Sequence, residues 1–309
     1  MKTVFMFSGQ GAQYVGMGKE LYENFNSAKD IFDKADEILK YSIKDICFNN
    51  EEELNKTENT QPAILTMSIA AMKILEEKGI KADFAAGLSL GEYSAYVASG
   101  AMDFEEAVEL VRKRGEFMTK AVPQGVGAMY AIMGLNKEIV ELCCKEAEKI
   151  GYVAPSNFNA PGQIVIAGVA EAATYAANIA KEKGAKMVVK LNVSGPFHTA
   201  LLEPASIKLK PELEKITIKD MNIPVFTNVT GDIVKDKNDI APLLVKQVMM
   251  PVKWEDTIKN LYNLGVDTFI EIGPGKALSG FVKRTVKGVT ILNVEDIKSL
   301  EKTLEKLAL

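Results

Sequence analysis

The sequence predicts an α/β protein: an α/β-hydrolase-like large domain on a mainly parallel sheet, with an inserted ferredoxin-like (βαββαβ) small subdomain. Three observations predict it. Short apolar segments alternate with longer segments of helical period, residues 125–193 switch to the order βαββαβ, and a Gly-x-Ser-x-Gly pentapeptide joins an apolar strand to a helical run.

The first strand, Thr3 to Phe7, is stopped by Ser8-Gly9. Leu21 to Leu39 has helical period, and Pro62 to Glu77 is a second helix with its proline near the start, where a missing N–H costs little. Phe84 to Gly87 reads as the next strand, followed by the helical run Leu90 to Ser99. Asp103 precedes the helix Phe104 to Ala121, and Gly79, Gly100 and Gly265 fall just past helix ends. The inserted unit runs strand Ala128 to Met133, helix Lys137 to Lys149, strand Tyr152 to Phe158, strand Gln163 to Gly168, helix Ala170 to Lys183 and strand Lys186 to Asn192. Asn159-Ala160-Pro161-Gly162 supplies the turn of its central hairpin. The large domain resumes with strand Val225 to Val229, helix Trp254 to Leu264, strands Asp267 to Ile272 and Val289 to Val294, and helix Asp296 to Leu307. The expected division is therefore 1–124 and 194–309 for the large domain and 125–193 for the small one. A cleft between them is the expected ligand site.

Composition narrows the function. With 309 residues, 47% of them hydrophobic, the chain can bury a large core, so a disordered or fibrous protein is excluded. The 37 Lys+Arg against 41 Asp+Glu leave a net charge of −4 with no basic footprint, so no nucleic-acid partner is expected. Neither a signal-type apolar region nor a membrane-length run occurs, which makes the expectation a cytoplasmic protein without a membrane partner. Cys47, Cys143 and Cys144 have no Cys-x-x-Cys spacing, so neither a disulfide nor a metal site is expected.

Gly87-Leu88-Ser89-Leu90-Gly91 has the context of a nucleophile elbow. Small residues at 87 and 91 permit a tight strand-to-helix turn that exposes the Ser89 hydroxyl and leaves the Leu90 N–H free to stabilise an oxyanion. A serine needs a base, and His198, in Gly195-Pro196-Phe197-His198, is the only histidine of the chain. It follows the last strand of the inserted unit, where the chain re-enters the large domain. Arg114 falls on the apolar stripe Ala107, Leu110, Val111, Met118 of its helix. A guanidinium there either closes a structural salt bridge or clamps a substrate carboxylate, and helical position leaves both open. Ser8 to Gln13 is a glycine-bearing loop at the end of the first strand, where a backbone can approach a ligand; its spacing is not a dinucleotide fingerprint. Gln247 lies at helical spacing from Leu243 and Leu244 before Pro251, so its amide or the carbonyl there needs a partner, and orienting His198 is one use for it.

Phe7 to Gln13, Gly87 to Ala95, Arg114-Gly115, Asn157 to Gln163, Gly195 to His198 and Glu271 to Gly275 together resemble, in order and over nearly the whole chain, the malonyl-CoA:acyl carrier protein transacylases and the acyltransferase domains of fatty acid and polyketide synthases. The resemblance implies that Ser89 is acylated, His198 is its base, the N–H groups of Gln10 and Leu90 form the oxyanion hole and Arg114 clamps the malonyl carboxylate. It further implies that a carbonyl at Gln247 orients the histidine, giving a dyad rather than a triad. Phe197, immediately before His198, and Leu90, after the nucleophile, resemble malonyl-selective members more than methylmalonyl-selective ones, and Asn157 and Asn159 match a loop facing the family's active site. The implied substrate is malonyl-CoA with no bound cofactor and the implied partner is holo acyl carrier protein; the product feeds fatty acid or polyketide synthesis, and a separate single-function chain favours fatty acids. Lys181, Lys183, Lys186 and Lys190, or Lys283, Arg284 and Lys287, are the candidate docking charges for an acidic carrier. The sequence departs from the family pattern at Leu88, where many members carry histidine. A serine hydrolase would share Ser89 and His198, and Arg114 is what separates it from a transferase; a non-catalytic carrier-binding subunit would not need Ser89.

Overall fold

The computed structural model describes residues 1–123, 125–193 and 195–308. The domain limits expected at residues 124, 194 and 309 therefore lie outside the described residues.

Among the described residues eight strands form two sheets: β1 (Thr3–Phe7), β2 (Phe84–Gly87), β3 (Gly127–Met133), β4 (Val153–Ala160), β5 (Gln163–Val169), β6 (Met187–Lys190), β7 (Thr268–Ile272) and β8 (Thr290–Val294). The first sheet has the order β2-β1-β7-β8 and is parallel throughout, with Phe7 opposite both Gly87 and Ile272. Strands β1 and β7 are buried along their whole length, as parallel strands covered on both faces are, so neither alternates an apolar with a solvent face, and Glu271 is the one charged residue they hold. The second sheet is antiparallel in the order β4-β5-β3-β6. Renumbered within the unit this is 2-3-1-4, the ferredoxin-like arrangement expected from βαββαβ. Its central hairpin turns at Pro161-Gly162, with Gly162 at φ 68°.

The helix Thr57–Glu77 is buried on almost every side, between the helices Asn26–Leu39 and Phe104–Ala121. It starts earlier than the proline suggested, so Pro62 lies inside its second turn. The expected helix Leu21 to Leu39 is two, Lys19–Asn24 and Asn26–Leu39. At Phe25 the backbone is extended (φ −131°, ψ 123°) and the ring packs on the main core, between asparagines of weak helix propensity. The expected strand Val225 to Val229 is only a parallel bridge of Val225 to Ala85 and an antiparallel one of Phe226 to Ile233, because Asn228 turns toward the Ser89 loop.

The two sheets share a seam. Phe158 N–H donates to the Val252 carbonyl at 2.8 Å and Val252 N–H to the Ser156 carbonyl at 2.9 Å, so β4 is tied by main chain to the segment that follows the helix Ile240–Gln247. A separate apolar cluster joins Met118, Val122, Phe197, Leu202 and Val248 to Met129, Ala131, Val165 and Ala167 of β3 and β5. Beside it lies a cavity of about 500 Å³ at the carboxyl ends of β1 and β2, where parallel sheets place their ligands. Among the described residues no helix is long and apolar enough to cross a membrane.

Candidate active site

The loop after β2 is built around steric necessity. A Cβ on Gly87 would lie 1.9 Å from the Gly91 carbonyl oxygen, and one on Gly91 would lie 2.1 Å from the carbonyl oxygen of Phe7. Only glycine fits at either position, which lets the turn close and lock against β1. Ser89 between them adopts a left-handed φ of 54°, a conformation costly for a residue with a side chain and held here by its surroundings. Asn228 supplies the hold: its Oδ1 accepts from the Ser89 N–H at 2.6 Å and its Nδ2 donates to the Gly87 carbonyl at 2.7 Å.

His198 is also left-handed, at φ 59°, in a turn closed by Thr199 Oγ1 donating to the Pro196 carbonyl at 2.7 Å. Its Nδ1 lies 2.8 Å from the Gln247 carbonyl and its Nε2 lies 2.7 Å from Ser89 Oγ. A carbonyl can only accept, so the ring proton sits on Nδ1 and Nε2 is left to receive the serine proton. Burial, and then the Arg114 charge, push the imidazole down to about 4, so it is neutral at neutral pH. Among the described residues no carboxylate completes a triad; the orienting group is the main-chain carbonyl at the end of the helix Ile240–Gln247.

Arg114 is fully buried against the Tyr93 ring. Its Nη2 donates to Ser89 Oγ at 3.1 Å and to Gln247 Oε1 at 2.9 Å, and its Nη1 donates to Gln61 Oε1 at 2.8 Å. All three acceptors are neutral, and among the described residues no carboxylate forms an ion pair with it. The structural salt bridge left open by the sequence is thus not made. A buried cation without an anion beside a reactive hydroxyl is an arrangement suited to a ligand carboxylate.

The cavity wall takes in Gln10, Leu88, Asn157, Asn159, Phe197 and His198. The main-chain N–H groups of Gln10 and Leu90 donate to no described residue, so both remain available. Leu88 packs against Gly9 and presents an apolar surface where the family pattern often has histidine. Asn157 accepts from Ser156 Oγ at 2.9 Å, while the buried Oδ1 of Asn159 finds no partner among the described residues. Three residues of the network escape a reading of the sequence: Glu92, Asn228 and Gln61. Glu92 is one residue past Gly91 and wholly buried, and the only local signal was a charge in an otherwise apolar helix.

The pattern of the acyl transferase domain family matches residues 4–303. A malonyl CoA-acyl carrier protein transacylase of Bacillus subtilis is 48% identical over 308 residues, covering 99% of this chain and 97% of that protein. The chain belongs to the malonyl-CoA:acyl carrier protein transacylase family. Among solved structures, the transacylase from Clostridium perfringens is 49% identical, covers 100% of this transacylase and 98% of that chain, and superposes with a TM-score of 0.97. Another, 42% identical with a TM-score of 0.96 and covering 99% and 100% of the two chains, is a malonyl-transacylase in complex with its type II polyketide-synthase acyl-carrier protein. This transacylase shares their α/β fold, with its parallel four-stranded sheet and separate antiparallel one.

Proposed function

We propose that this transacylase moves a malonyl group from malonyl-CoA to the pantetheine thiol of holo acyl carrier protein, for fatty acid biosynthesis in the cytoplasm, through a malonyl ester on Ser89. The observation that carries the reading is one hydroxyl with two neighbours: Ser89 Oγ is 2.7 Å from a neutral imidazole nitrogen and 3.1 Å from a buried guanidinium. Ser89 Oγ attacks the thioester carbon while its proton passes to His198 Nε2. The Gln10 and Leu90 N–H groups receive the oxyanion. The carbon–sulfur bond then breaks, and the CoA thiolate takes the proton from His198. The carrier thiol repeats the sequence in reverse, giving its proton to His198 and leaving Ser89 free.

Arg114 holds the free malonyl carboxylate in both halves, exchanging its contact with Ser89 Oγ for a charged partner while the Gln61 and Gln247 amides keep the guanidinium in place. The Gln247 carbonyl keeps the imidazole oriented, and Phe197, Leu88, Asn157 and Asn159 line the cavity that receives the acyl group. Malonyl-CoA enters as substrate, and these steps call for no metal or redox cofactor. The cleft lies between a large domain of residues 1–124 and 194–309 and a small one of residues 125–193, a division supported by the separate sheets and cores.

Intact-protein mass spectrometry after brief exposure to malonyl-CoA tests the reading. A malonyl adduct mapped to Ser89, absent in Ser89→Ala, is expected. An adduct on another residue, or full transfer activity in Ser89→Ala, would overturn it.

A further inference from the structure

Glu92 is a buried carboxylate that the steps above do not use. It sits in the first turn of the helix Gly91–Ala98, immediately after the elbow, and is fully buried. Its Oε2 accepts from Gln247 Nε2 at 2.9 Å and from the Asn228 N–H at 3.0 Å, and its Oε1 accepts from the Tyr96 hydroxyl at 3.1 Å. Gln247 Nε2 also donates to the Ser89 carbonyl at 2.8 Å. With both amide protons fixed on acceptors, the other end of the amide, Oε1, is turned to Arg114 Nη2. A guanidinium has only donors, so this is the one orientation of the Gln247 amide that holds it.

The two halves of Gln247 thus serve different neighbours. Its main-chain carbonyl orients His198, and its side chain links Glu92 to Arg114. Loss of the side-chain link disturbs the guanidinium and leaves the histidine's orienting bond in place. Building on the proposed function, we infer that Glu92 is a positioning residue for acyl selectivity: through the Gln247 amide it holds the Arg114 guanidinium beside the Ser89 hydroxyl. Only an acyl group bearing a carboxylate benefits from that placement, so the malonyl to acetyl rate ratio reports it. A general loosening of the elbow, including any lost with the Asn228 contact, lowers both rates together and leaves the ratio unchanged.

The test compares acylation of Ser89 by malonyl-CoA and by acetyl-CoA in the wild type, Glu92→Ala and Glu92→Gln, with thermal melts as a check of folding. Glu92→Ala is expected to lower the malonyl to acetyl ratio about tenfold, the scale of one lost buried hydrogen bond to a charged group. Glu92→Gln should return the ratio to within about threefold of the wild type, because its amide oxygen accepts the two N–H donors and its NH₂ donates to Tyr96. If Glu92→Ala does not fold, Gln247→Leu removes the same link and should lower the ratio in the same way. An unchanged ratio in the folded alanine or leucine variant, or a glutamine variant as impaired in ratio as the alanine one, overturns the inference. No malonyl adduct in the wild type would instead remove the proposed function on which it rests.

Discussion

At the residue scale, Arg114 and His198 control one another. The positive charge beside the imidazole is the second cause of its depression after burial, and base catalysis needs the neutral ring. Acylation should therefore fall as pH falls through about 4. In Arg114→Ala that acid limb moves to higher pH, still below the ordinary histidine value because burial remains. The measurement is the acetyl-CoA acylation rate against pH in both proteins, since acetyl brings no carboxylate to offset the arginine; a limb that stays in place would contradict the coupling. The same variant should lose about a hundredfold or more in kcat/KM for malonyl-CoA, the scale of a buried charge pair deprived of one partner. Ser89, His198 and Arg114 were legible because each stands out locally: a pentapeptide, a sole histidine and a charge on an apolar stripe. Glu92, Asn228 and Gln61 reach the site through partners far along the chain, Asn228 being 139 residues from Ser89, and no local pattern encodes such bonds.

At the scale of elements, the elbow works because β1, β2 and the helix Gly91–Ala98 meet without room for a single methyl group. Gly91→Ala is expected to cost about 1–3 kcal/mol of stability by forcing the helix start away from Phe7, measured by urea unfolding. Wild-type stability in that variant would mean that the turn is not locked against β1. Asn228→Ala should cost a similar amount, about 1–3 kcal/mol, by leaving the Ser89 N–H and Gly87 carbonyl without their partner. Strands and long helices were readable where burial forces a regular pattern, as in β1, β7 and Phe104–Ala121. Short helices were not: Ile43–Asn49, Glu203–Leu213 and Ala277–Thr285 carry few turns of periodicity, and the second holds two prolines. The run from Val225 is no full strand, since its backbone leaves the sheet where Asn228 bonds to the elbow.

At the scale of the whole molecule, the inserted unit closes one side of a cleft whose other side is the end of the parallel sheet. The order βαββαβ made the insertion legible, whereas the seam, built from residues of both units, has no signature in any one stretch. The transferase reading also needs a surface for an acidic carrier on a chain of net charge −4. Lys181, Lys183, Lys186 and Lys190 are exposed on the small unit, and Lys283, Arg284 and Lys287 on the large one. Charge reversal within the docking cluster should raise KM for holo carrier protein several-fold and leave KM for malonyl-CoA unchanged, measured by steady-state transfer; equal effects on both substrates for both clusters would remove them as docking surfaces. The central claim is that Ser89 hands its acyl group to a thiol rather than to water. It is tested most directly by isolating the malonyl-enzyme, mixing it with one equivalent of holo carrier protein or with buffer, and weighing the products by mass spectrometry. Malonyl on the carrier thiol and a long-lived ester in buffer are expected; rapid release of free malonate in both mixtures would show that water is the acceptor.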